Sequence, residues 1–413
     1  MKPNATSEVE SLSKIPITKP AFDQAEVDAI QEVLRSGWVV QGPQVAQFEQ
    51  MMAEFTSSRF AIATTSGTTA LHLALSAAGI GPGDEVLLPS FTFIATANAV
   101  EYTGARPVFV DIDLDTFTID PSLLEQALAR RRSARCVVPV SLFGLCADMN
   151  AINAMAGEHN LTVIEDAACG LGAFRDGHHA GTEALAGCFS FHPRKAVTTG
   201  EGGMVITDNA QLADKIVKMR DHGASQTDLE RHLSEGGSLL PNYDMLGYNY
   251  RMTDIQGALG AVQMGKVQTV LDQRRDAAIR YDQLLKDTSF LRLLHAPEGM
   301  VHAYQSYVCL FGADQIDFGV AEPPNWELVA HLNRDRNRMM ARLEAEGIAV
   351  RQGTHAVHTL GYYRNKYEIA PQDYPNSYIS DRLSITLPLY AGMAEKTQKR
   401  VVDALQRLYK QSG

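Results

Sequence analysis

The chain has 413 residues, of which 45% are hydrophobic and 21% are charged, and its formal net charge is -11. This length predicts two domains, and this composition is typical of a soluble globular protein. The acidic charge balance argues against a nucleic-acid partner, because nucleic-acid phosphates would be repelled.

Five cysteines are scattered along the chain without a C-x-x-C pair. Their odd number and spacing indicate neither a metal site nor a disulfide scaffold, and they favour a reducing cytoplasm. The first residues carry no apolar run after Lys2, so we expect no signal peptide. The sequence contains no stretch of about 18 apolar residues that could span a membrane.

The first two-thirds of the chain alternates between helix-like and strand-like patterns. Apolar stripes predict helices at residues 45–55, 69–80, 121–131 and 148–160. Apolar runs predict strands at residues 85–89, 105–112, 135–144, 161–168, 188–192 and 202–208. Such alternation predicts a mostly parallel sheet that is covered by helices on both faces.

The pattern changes after a long helical stretch at residues 250–285. A strand pattern follows at residues 304–311, and helices are predicted at residues 336–347 and 395–409. We therefore predict a large α/β domain of residues 1–265 and a smaller α+β domain of residues 266–413.

The segment TTSGTTAL opens the second predicted helix with Ser66, Gly67, Thr68 and Thr69. A helix start offers free backbone N–H groups and the positive end of the helix dipole, which together suit a phosphate group. A simple N-cap without a ligand is the alternative, because serine and threonine are common at helix starts.

The segment VIEDAACG brings two carboxylates, Glu165 and Asp166, to the carboxyl end of a predicted strand. Side chains alternate along a strand, so one of the two would face a ligand while the other points away. The Asp166 carboxylate could keep the ring nitrogen of a ligand in its protonated, cationic form. A capping or surface carboxylate is the alternative.

Lys195 follows the strand-like segment FSFHPR and precedes the glycine-rich turn AVTTGEGG. Open α/β sheets bind ligands at the carboxyl ends of their strands. The basic neighbour Arg194 and the apolar surroundings would favour the neutral lysine amine, which is the nucleophilic form. A solvated surface lysine is the alternative.

Together the three segments indicate pyridoxal 5'-phosphate (PLP) as the cofactor. The phosphate of PLP needs an anion site, its pyridine nitrogen needs an aspartate that keeps it protonated, and its aldehyde needs a lysine that forms a Schiff base. An aromatic ring should also cover the pyridine, and Phe91 and Phe93 follow the predicted strand at residues 85–89.

Five segments resemble, in order, motifs of the DegT/StrS family of sugar aminotransferases: SGTTALHLAL, LPSFTFIATANAV, VIEDAACGLGA, FSFHPRKAVTTGEGGMVITDN and LGYNYRMTDIQGALG. The resemblance extends from near Ile17 to the C-terminal helix. It implies the aspartate-aminotransferase type of PLP fold, known as fold type I. It also implies a homodimer whose active sites lie at the subunit interface.

The resemblance further implies roles for single residues. Lys195 corresponds to the lysine that binds PLP covalently, and Asp166 corresponds to the partner of the pyridine nitrogen. Phe93, rather than Phe91, stands at the position of the stacking ring. The implied phosphate contacts are Gly67, Thr68, Thr69 and Ser190, together with Asn249 from the partner subunit and its neighbour Arg251.

Some positions depart from the family pattern. Cys169 stands where glutamine or histidine is usual, which leaves open how the 3-hydroxyl side of PLP is held. Ser141 stands where histidine is common, and Leu145 and Cys146 replace a usual Gln-Pro pair. We expect these changes near the pocket, where they would reflect an unusual substrate.

The family implies transfer of the amino group of L-glutamate to a keto- or aldehydo-sugar in amino-sugar biosynthesis of the cell-surface polysaccharide or lipopolysaccharide type. Lys195 favours amino transfer, because family members with histidine at this position are dehydratases. The segment GTHAVH is also similar to that of aminotransferases that make 8-amino-3,8-dideoxy-octulosonate. The acceptor therefore stays open between a nucleotide-linked ketosugar and the 8-oxo-3-deoxy-octulosonate sugar acid.

Several residues are candidates for binding that acceptor. A basic and hydroxyl-rich wall in the C-terminal domain suits a diphosphate or a carboxylate, and a satisfied structural cluster is the alternative. Trp38 lies in a loop that resembles a family loop beside the active site, and a plain turn is the alternative. A non-catalytic regulator that senses PLP or a sugar is the alternative function. The residues of the wall are Arg351, His355, His358, Tyr362 and Tyr363.

Overall fold

The computed structural model describes residues 14–131, 133–226, 240–318 and 325–411. Short 3-10 helices lie at Leu142–Gly144, Val357–Thr359 and Pro371–Asp373. The α-helices of the described ranges are α1 Gln24–Ser36, α2 Pro43–Thr56, α3 Gly67–Ala77, α4 Ala95–Tyr102, α5 Pro121–Arg130, α6 Met149–His159, α7 Ala210–Arg220, α8 Asp254–Gly265, α9 Val267–Leu285, α10 Trp326–Ala345, α11 Gly361–Tyr367, α12 Pro375–Leu383 and α13 Glu395–Lys410.

The strands of the same ranges fall into one large sheet and three smaller ones. They are β1 Phe60–Thr64, β2 Glu85–Pro89, β3 Phe91–Thr92, β4 Arg106–Val110, β5 Ala134–Val137, β6 Thr162–Asp166, β7 Phe174–Arg175, β8 His178–His179, β9 Ala186–Ser190, β10 Gly203–Thr207, β11 Leu291–Leu293, β12 Met300–Val301, β13 Tyr307–Phe311, β14 His355–Ala356 and β15 Ser384–Leu387.

The large sheet has seven strands in the order β1-β10-β9-β6-β5-β2-β4. Strand β10 is antiparallel to both of its neighbours, and the other pairs are parallel. Strands β2 and β10 are buried along their whole length, as expected where helices cover both faces of a sheet. The prediction of a mostly parallel α/β sheet is confirmed.

Helix starts follow the local sequence signals. Helix α5 begins where the Asp120 side chain accepts hydrogen bonds from the first turn and Pro121 occupies the first helical position. Helix α3 begins with a reciprocal cap between Ser66 and Thr69. These signals are local, so the sequence alone was sufficient to place both starts.

One predicted strand is shorter in the structure. The pattern predicted a strand at residues 135–144, but β5 ends at Val137. Pro139 has no N–H group to donate to a strand ladder, and Phe143 adopts a left-handed backbone conformation with φ 56°. The regular ladder of β5 therefore ends at Val137, a single bridge joins Val140 to Asp166, and the chain then forms a 3-10 helix.

The C-terminal part of the chain carries a three-stranded antiparallel sheet in the order β11-β13-β15. Helices α9, α10 and α13 contribute to its core, which includes Tyr281, Leu343 and Leu405. Near the N-terminus, Ile15 joins the same core and forms a parallel bridge with Ile348. The segment around Ile15 therefore packs on the C-terminal part of the chain.

Helix α9 connects the two cores. Its first turns bury Val267 and Leu271 beside the large sheet, and its later turns bury Tyr281 and Leu285 in the C-terminal core. The junction between α8 and α9 lies at the predicted domain boundary, residue 265. The division into domains 1–265 and 266–413 stays a prediction.

The carboxyl ends of β1, β6 and β9 lie at the same edge of the large sheet, because both β1 and β9 are antiparallel to β10 while β6 is parallel to β9. Ligands of open α/β sheets bind at such an edge.

Within the described ranges, none of the helices has the length and apolar character needed to cross a membrane.

Candidate active site

A cleft of about 510 Å³ opens at this edge of the large sheet. Loops of the C-terminal part, at Gln305–Ser306 and Gly353–Thr354, complete its wall. The residues predicted for catalysis and cofactor binding that line the cleft are Gly67, Thr68, Phe93, Asp166, Ser190 and Lys195. Residues far apart in the sequence therefore converge on one cavity.

The start of α3 forms a candidate anion cradle beside Ser190. The Ser66 hydroxyl accepts a hydrogen bond from the Thr69 N–H (3.2 Å), and the Ser66 N–H donates to the Thr69 hydroxyl (3.0 Å). Thr69 therefore caps the helix and does not line the cleft. The N–H groups of Gly67 and Thr68 are left without a helical partner.

Gly67 is required by the close approach of α3 to β9. A Cβ atom at Gly67 would lie 2.9 Å from the Cβ atom of Ser190 and 3.3 Å from the Phe189 carbonyl oxygen. The first turn of α3 therefore presents bare backbone N–H groups next to a serine hydroxyl. This donor set fits a phosphate group.

Asp166 ends β6 and is only 5% exposed. Its Oδ2 atom accepts a hydrogen bond from the Thr96 hydroxyl (2.7 Å), and its Oδ1 atom accepts one from the Ala168 N–H (3.1 Å). Burial raises the pKa of Asp166 above its usual value, and the Thr96 hydrogen bond opposes this rise. A buried carboxylate with neutral donors at the cleft fits a protonated pyridine nitrogen.

Glu165, the preceding residue, points to the other side of the sheet. Its Oε1 atom accepts from the Ser141 hydroxyl (2.5 Å) and its Oε2 atom accepts from the Gly181 N–H (2.7 Å). Burial raises the pKa of Glu165 to about 7. Of the two adjacent carboxylates, Asp166 is therefore the one that faces the cleft.

The departures at residues 141–146 do not border the cleft. Ser141 is fully buried against Glu165, and Leu145 and Cys146 are each 3% exposed within the core. Their chain neighbours Val140, Leu142 and Phe143 do line the cleft, so the expectation that these three changes reflect the substrate stays a prediction. In this structure they accompany the packing behind the sheet.

Lys195 follows β9 in a bend. Its backbone N–H donates to the His192 carbonyl (2.8 Å), and its Nζ atom lies 3.0 Å from the Sγ atom of Cys169. Both side chains line the cleft. The lysine is therefore half-buried in the cavity and is not a solvated surface charge, and the departure at Cys169 places a thiol next to its amine.

The two candidate aromatic rings have different environments. Phe91 is fully buried and packs against Phe117 and Phe143. Phe93 is 62% exposed and lines the cleft. Phe93 is therefore the ring that is free to cover a bound pyridine.

The predicted substrate residues are placed less closely together. Trp38 is half-buried and its Nε1 donates to the Gln41 carbonyl (3.3 Å) outside the cleft lining. His355 is half-exposed on β14, with its Nδ1 atom 3.8 Å from an Asp381 oxygen. Neither residue lines the cleft.

His358 is fully buried, with its Nδ1 atom 2.5 Å from the Ser90 hydroxyl and its Nε2 atom 2.9 Å from the Pro371 carbonyl oxygen. Tyr363 is also fully buried and donates to Asn98 (2.6 Å). For these two residues the structural alternative is the correct one, because their polar atoms are occupied away from the cleft.

The remaining residues that were predicted to bind the substrate or the phosphate lie outside the cleft lining. Arg351 borders a small pocket next to the cleft and forms an ion pair with Glu344. Asn249 is exposed and outside the cleft lining, and Arg251 forms an ion pair with Asp221. Tyr362, 56% exposed, belongs to the surface of α11.

Sequence reasoning missed several residues in or beside the cleft. Thr96 is buried behind the cleft lining, where it donates to Asp166, and it lies in the helix start that follows Phe93, so its position was a usable local signal. The others are brought in by loops whose approach no local pattern shows. They are His192, Glu201, Gln305, Ser306 and Thr354. Among the described residues, no group of histidine, cysteine and carboxylate side chains could hold a metal ion.

The model of the DegT/DnrJ/EryC1/StrS aminotransferase family matches residues 20–406. The chain belongs to this family. It is therefore an aminotransferase of fold type I, and its family uses PLP, as the sequence predicted. The cradle at Gly67, the buried carboxylate of Asp166 and the amine of Lys195 are a donor set that fits this cofactor.

Solved structures of similar proteins agree over nearly the whole chain. An aminotransferase of the same family from Brucella abortus is 30% identical, with a TM-score of 0.80 over 93% of this chain and 95% of that chain. Helicobacter pylori PseC, an aminotransferase involved in the biosynthesis of pseudoaminic acid, is 25% identical, with a TM-score of 0.84 over 97% and 100%.

Spr1654 from Streptococcus pneumoniae is 26% identical to this chain, with a TM-score of 0.84 over 96% of this chain and 99% of that chain. Its structures include a PLP-form and a PMP-form, the latter with pyridoxamine phosphate. The chain is thus similar to aminotransferases that carry both forms of the cofactor, and its family serves amino-sugar biosynthesis.

Proposed function

We propose that this enzyme transfers the amino group of L-glutamate to a keto- or aldehydo-sugar. The observation that carries the proposal is the convergence of Lys195, Asp166 and the Gly67–Thr68 cradle on one cleft. These groups match the amine, the carboxylate and the anion site that amino transfer with PLP requires. The product would be an amino sugar for cell-surface polysaccharide or lipopolysaccharide.

Lys195 and Asp166 would perform the chemical roles. PLP supplies an electron sink that acidifies the Cα–H bond of an amino acid. The Asp166 carboxylate would keep a positive charge on the pyridine nitrogen, which its buried position favours. The Lys195 amine would bind the cofactor covalently and, once released, would hold the proton taken from the substrate Cα atom.

The remaining cofactor contacts would be positional. The N–H groups of Gly67 and Thr68 and the Ser190 hydroxyl would bind the phosphate, and Phe93 would cover the ring. Thr69 would contribute by fixing the first turn of α3 through its cap with Ser66. Thr96 would orient the Asp166 carboxylate through its hydrogen bond.

We also propose a homodimer, in which Asn249 of one subunit reaches the phosphate site of the other. Exposed apolar side chains near Asn249 in the chain and in the loop after α1 support this proposal, because a monomer would leave them in water. Association would cover them. They are Val39, Val40, Leu240, Tyr243 and Leu246.

The acceptor is proposed to be a nucleotide-linked ketosugar or the 8-oxo-3-deoxy-octulosonate sugar acid, and the site of action the cytoplasm. Both acceptor classes carry anionic groups. The C-terminal loops at Gln305–Ser306 and Gly353–Thr354 supply polar atoms at the cleft wall where a sugar would lie.

The test loads the protein with PLP and follows the absorbance of the cofactor. L-Glutamate should convert it to the pyridoxamine form, and the correct acceptor should restore the original spectrum. Each acceptor class is added separately to the glutamate-treated enzyme. The Lys195→Ala variant is the control, and more than a trace of turnover in this variant would refute the role of Lys195.

The alternative function, a regulator that senses PLP or a sugar without catalysis, predicts a different result. Such a protein would bind PLP but would show no spectral change with L-glutamate. The presence of the half-buried Lys195 amine at the cleft favours the enzyme.

A further inference from the structure

Arg194 precedes Lys195 and lines the same cleft. It also borders a smaller adjoining pocket of about 40 Å³, together with Gln305, Ser306 and Arg351. Its backbone atoms are hydrogen-bonded, but its guanidinium group has no hydrogen bond or ion pair with any residue that the structure describes. Within the described ranges, a positive charge without an ion-pair partner therefore stands beside the candidate lysine.

The second arginine of the small pocket is different. The Arg351 guanidinium forms an ion pair with Glu344 and donates to the Val350 carbonyl (2.8 Å). Its charge is compensated within the protein. Arg194 is thus the arginine of the two whose donors are available to a ligand.

A chain of hydrogen bonds fixes the backbone of Arg194. The buried Arg274 donates from Nε to the Tyr304 carbonyl (3.0 Å) and from Nη2 to the Gln305 carbonyl (2.6 Å). The Gln305 side-chain amide donates in turn to the Arg194 carbonyl (3.0 Å), and the Arg194 N–H donates to Nδ1 of His192 (3.2 Å). These hydrogen bonds therefore fix the backbone of Arg194, while its guanidinium group has no hydrogen bond to a described residue.

The chemistry of a guanidinium group favours a carboxylate ligand. Its planar N–H groups form two parallel hydrogen bonds to a carboxylate, which gives both strength and orientation. In the proposed function the Lys195 amine is used by the cofactor, so Arg194 is the cation of the cleft that remains for an anionic substrate group.

We propose that Arg194 binds the carboxylate group of the substrate, and that Gln305 is its positioning residue. The inference rests on the proposed function and deepens it by naming a substrate-recognition residue. Two substrates could supply the carboxylate: the amino-acid donor, and a sugar acid in the acceptor role. Because both enter one cleft, they would use the same arginine in turn.

The test measures binding by calorimetry to the PLP-loaded protein, with glutarate as the probe because it has carboxylates but no amino group to react. We expect Arg194→Gln to weaken glutarate binding by about tenfold or more, as loss of a charge-assisted pair predicts. Gln305→Ala should weaken it less. Arg364→Gln, an exposed arginine on α11, is the charge-matched control and should bind as the wild type does.

A second arm uses 3-deoxy-octulosonate, a sugar acid without the reactive aldehyde. Weaker binding of both probes to Arg194→Gln supports a shared carboxylate site, and weaker binding of glutarate alone supports the donor as the source. The proposal is overturned if the wild type does not bind glutarate, if Arg194→Gln binds it normally, or if only an Arg351→Gln variant loses it.

This experiment is separate from the test of amino transfer. Glutarate binding needs no chemical step, so it is measured even if L-glutamate leaves the absorbance of the cofactor unchanged. That spectral failure would refute the proposed function, whereas normal binding of glutarate to Arg194→Gln would refute the role of the arginine alone.

Discussion

The Nζ atom of Lys195 lies 3.0 Å from the Sγ atom of Cys169, and both atoms belong to side chains that line the cleft. A thiol at this position is therefore a reporter for the environment of the candidate catalytic amine. The other four cysteines, all in described parts of the chain, are buried.

We expect iodoacetamide to modify about one thiol per chain in cofactor-free protein, because alkylation requires an accessible sulfur. The modified residue should be Cys169, and bound PLP should slow its modification because the cofactor would fill the cleft. Mass spectrometry of peptides measures both results. Cys169→Ser is the control and should take up no label, and labelling of a buried cysteine in native protein would contradict the structure.

The adjacent pair on β6 offers a matched test of the Asp166 assignment. Asp166→Asn should lower the turnover number by about two orders of magnitude or more, since it removes the charge that would stabilise a protonated ring nitrogen. PLP should still bind, because the proposed phosphate contacts Gly67, Thr68 and Ser190 are unchanged. Steady-state kinetics and the absorbance of the cofactor measure the two effects.

The control for this substitution is Glu165→Gln, which makes the same chemical change one residue away on the opposite side of the sheet. It should retain most of the activity. Equal losses of activity in the two variants would show that the effect is structural and does not arise at the cleft.

Gly67→Ala should weaken the binding of PLP, because the added Cβ atom would lie 2.9 Å from the Cβ atom of Ser190. Moving the backbone to relieve such a contact typically costs about 1–3 kcal/mol, and here the atoms that would move belong to the proposed phosphate site. Titration with PLP gives the dissociation constant. Gly157→Ala, a helical glycine with nothing within 4 Å of its added Cβ atom, should bind PLP normally.

Glu165 should make the stability of the protein depend on pH. Its pKa in the folded protein is raised from 4.5 to about 7 by burial, so the folded state holds this proton more tightly than the unfolded state does. The contribution of Glu165 to the free energy of unfolding is therefore fully present below pH 4.5 and is lost as the pH rises through 7. The size of this effect is about 2–4 kcal/mol.

The Glu165→Gln variant removes this titration. Its free energy of unfolding relative to the wild type should increase between pH 5 and pH 8.5, as measured by urea denaturation. The exposed Glu125→Gln substitution is the control and should show no such trend. A constant difference across this range would mean that Glu165 does not bind its proton more tightly in the folded state.

The sequence predicted those parts of the molecule that depend on local signals. The alternating patterns predicted the parallel sheet and a helix at residues 121–131, which the structure has as α5 Pro121–Arg130. The strand at residues 135–144 was predicted too long because apolar character alone does not show where the backbone turns. In the structure, Pro139 and the left-handed Phe143 end that extended segment.

Lys195, Asp166 and Phe93, which were predicted from short segments, line one cleft, and their chemical roles stay predictions. The site was not predicted where tertiary packing decides. The sequence does not distinguish a substrate-binding histidine from a structural one, and in the structure His358 is buried against Ser90. Gln305 reaches the cleft from the C-terminal part of the chain, and no periodicity or spacing shows that approach.

The single helix α9 has a consequence for how the molecule loses its structure. Val267 and Leu271 pack in one core, and Tyr281 and Leu285 pack in the other. Unfolding of either core therefore destabilises the same helix. Scanning calorimetry should therefore record one cooperative heat-absorption peak for this chain, and a polypeptide cut after residue 265 should yield two fragments that are insoluble on their own.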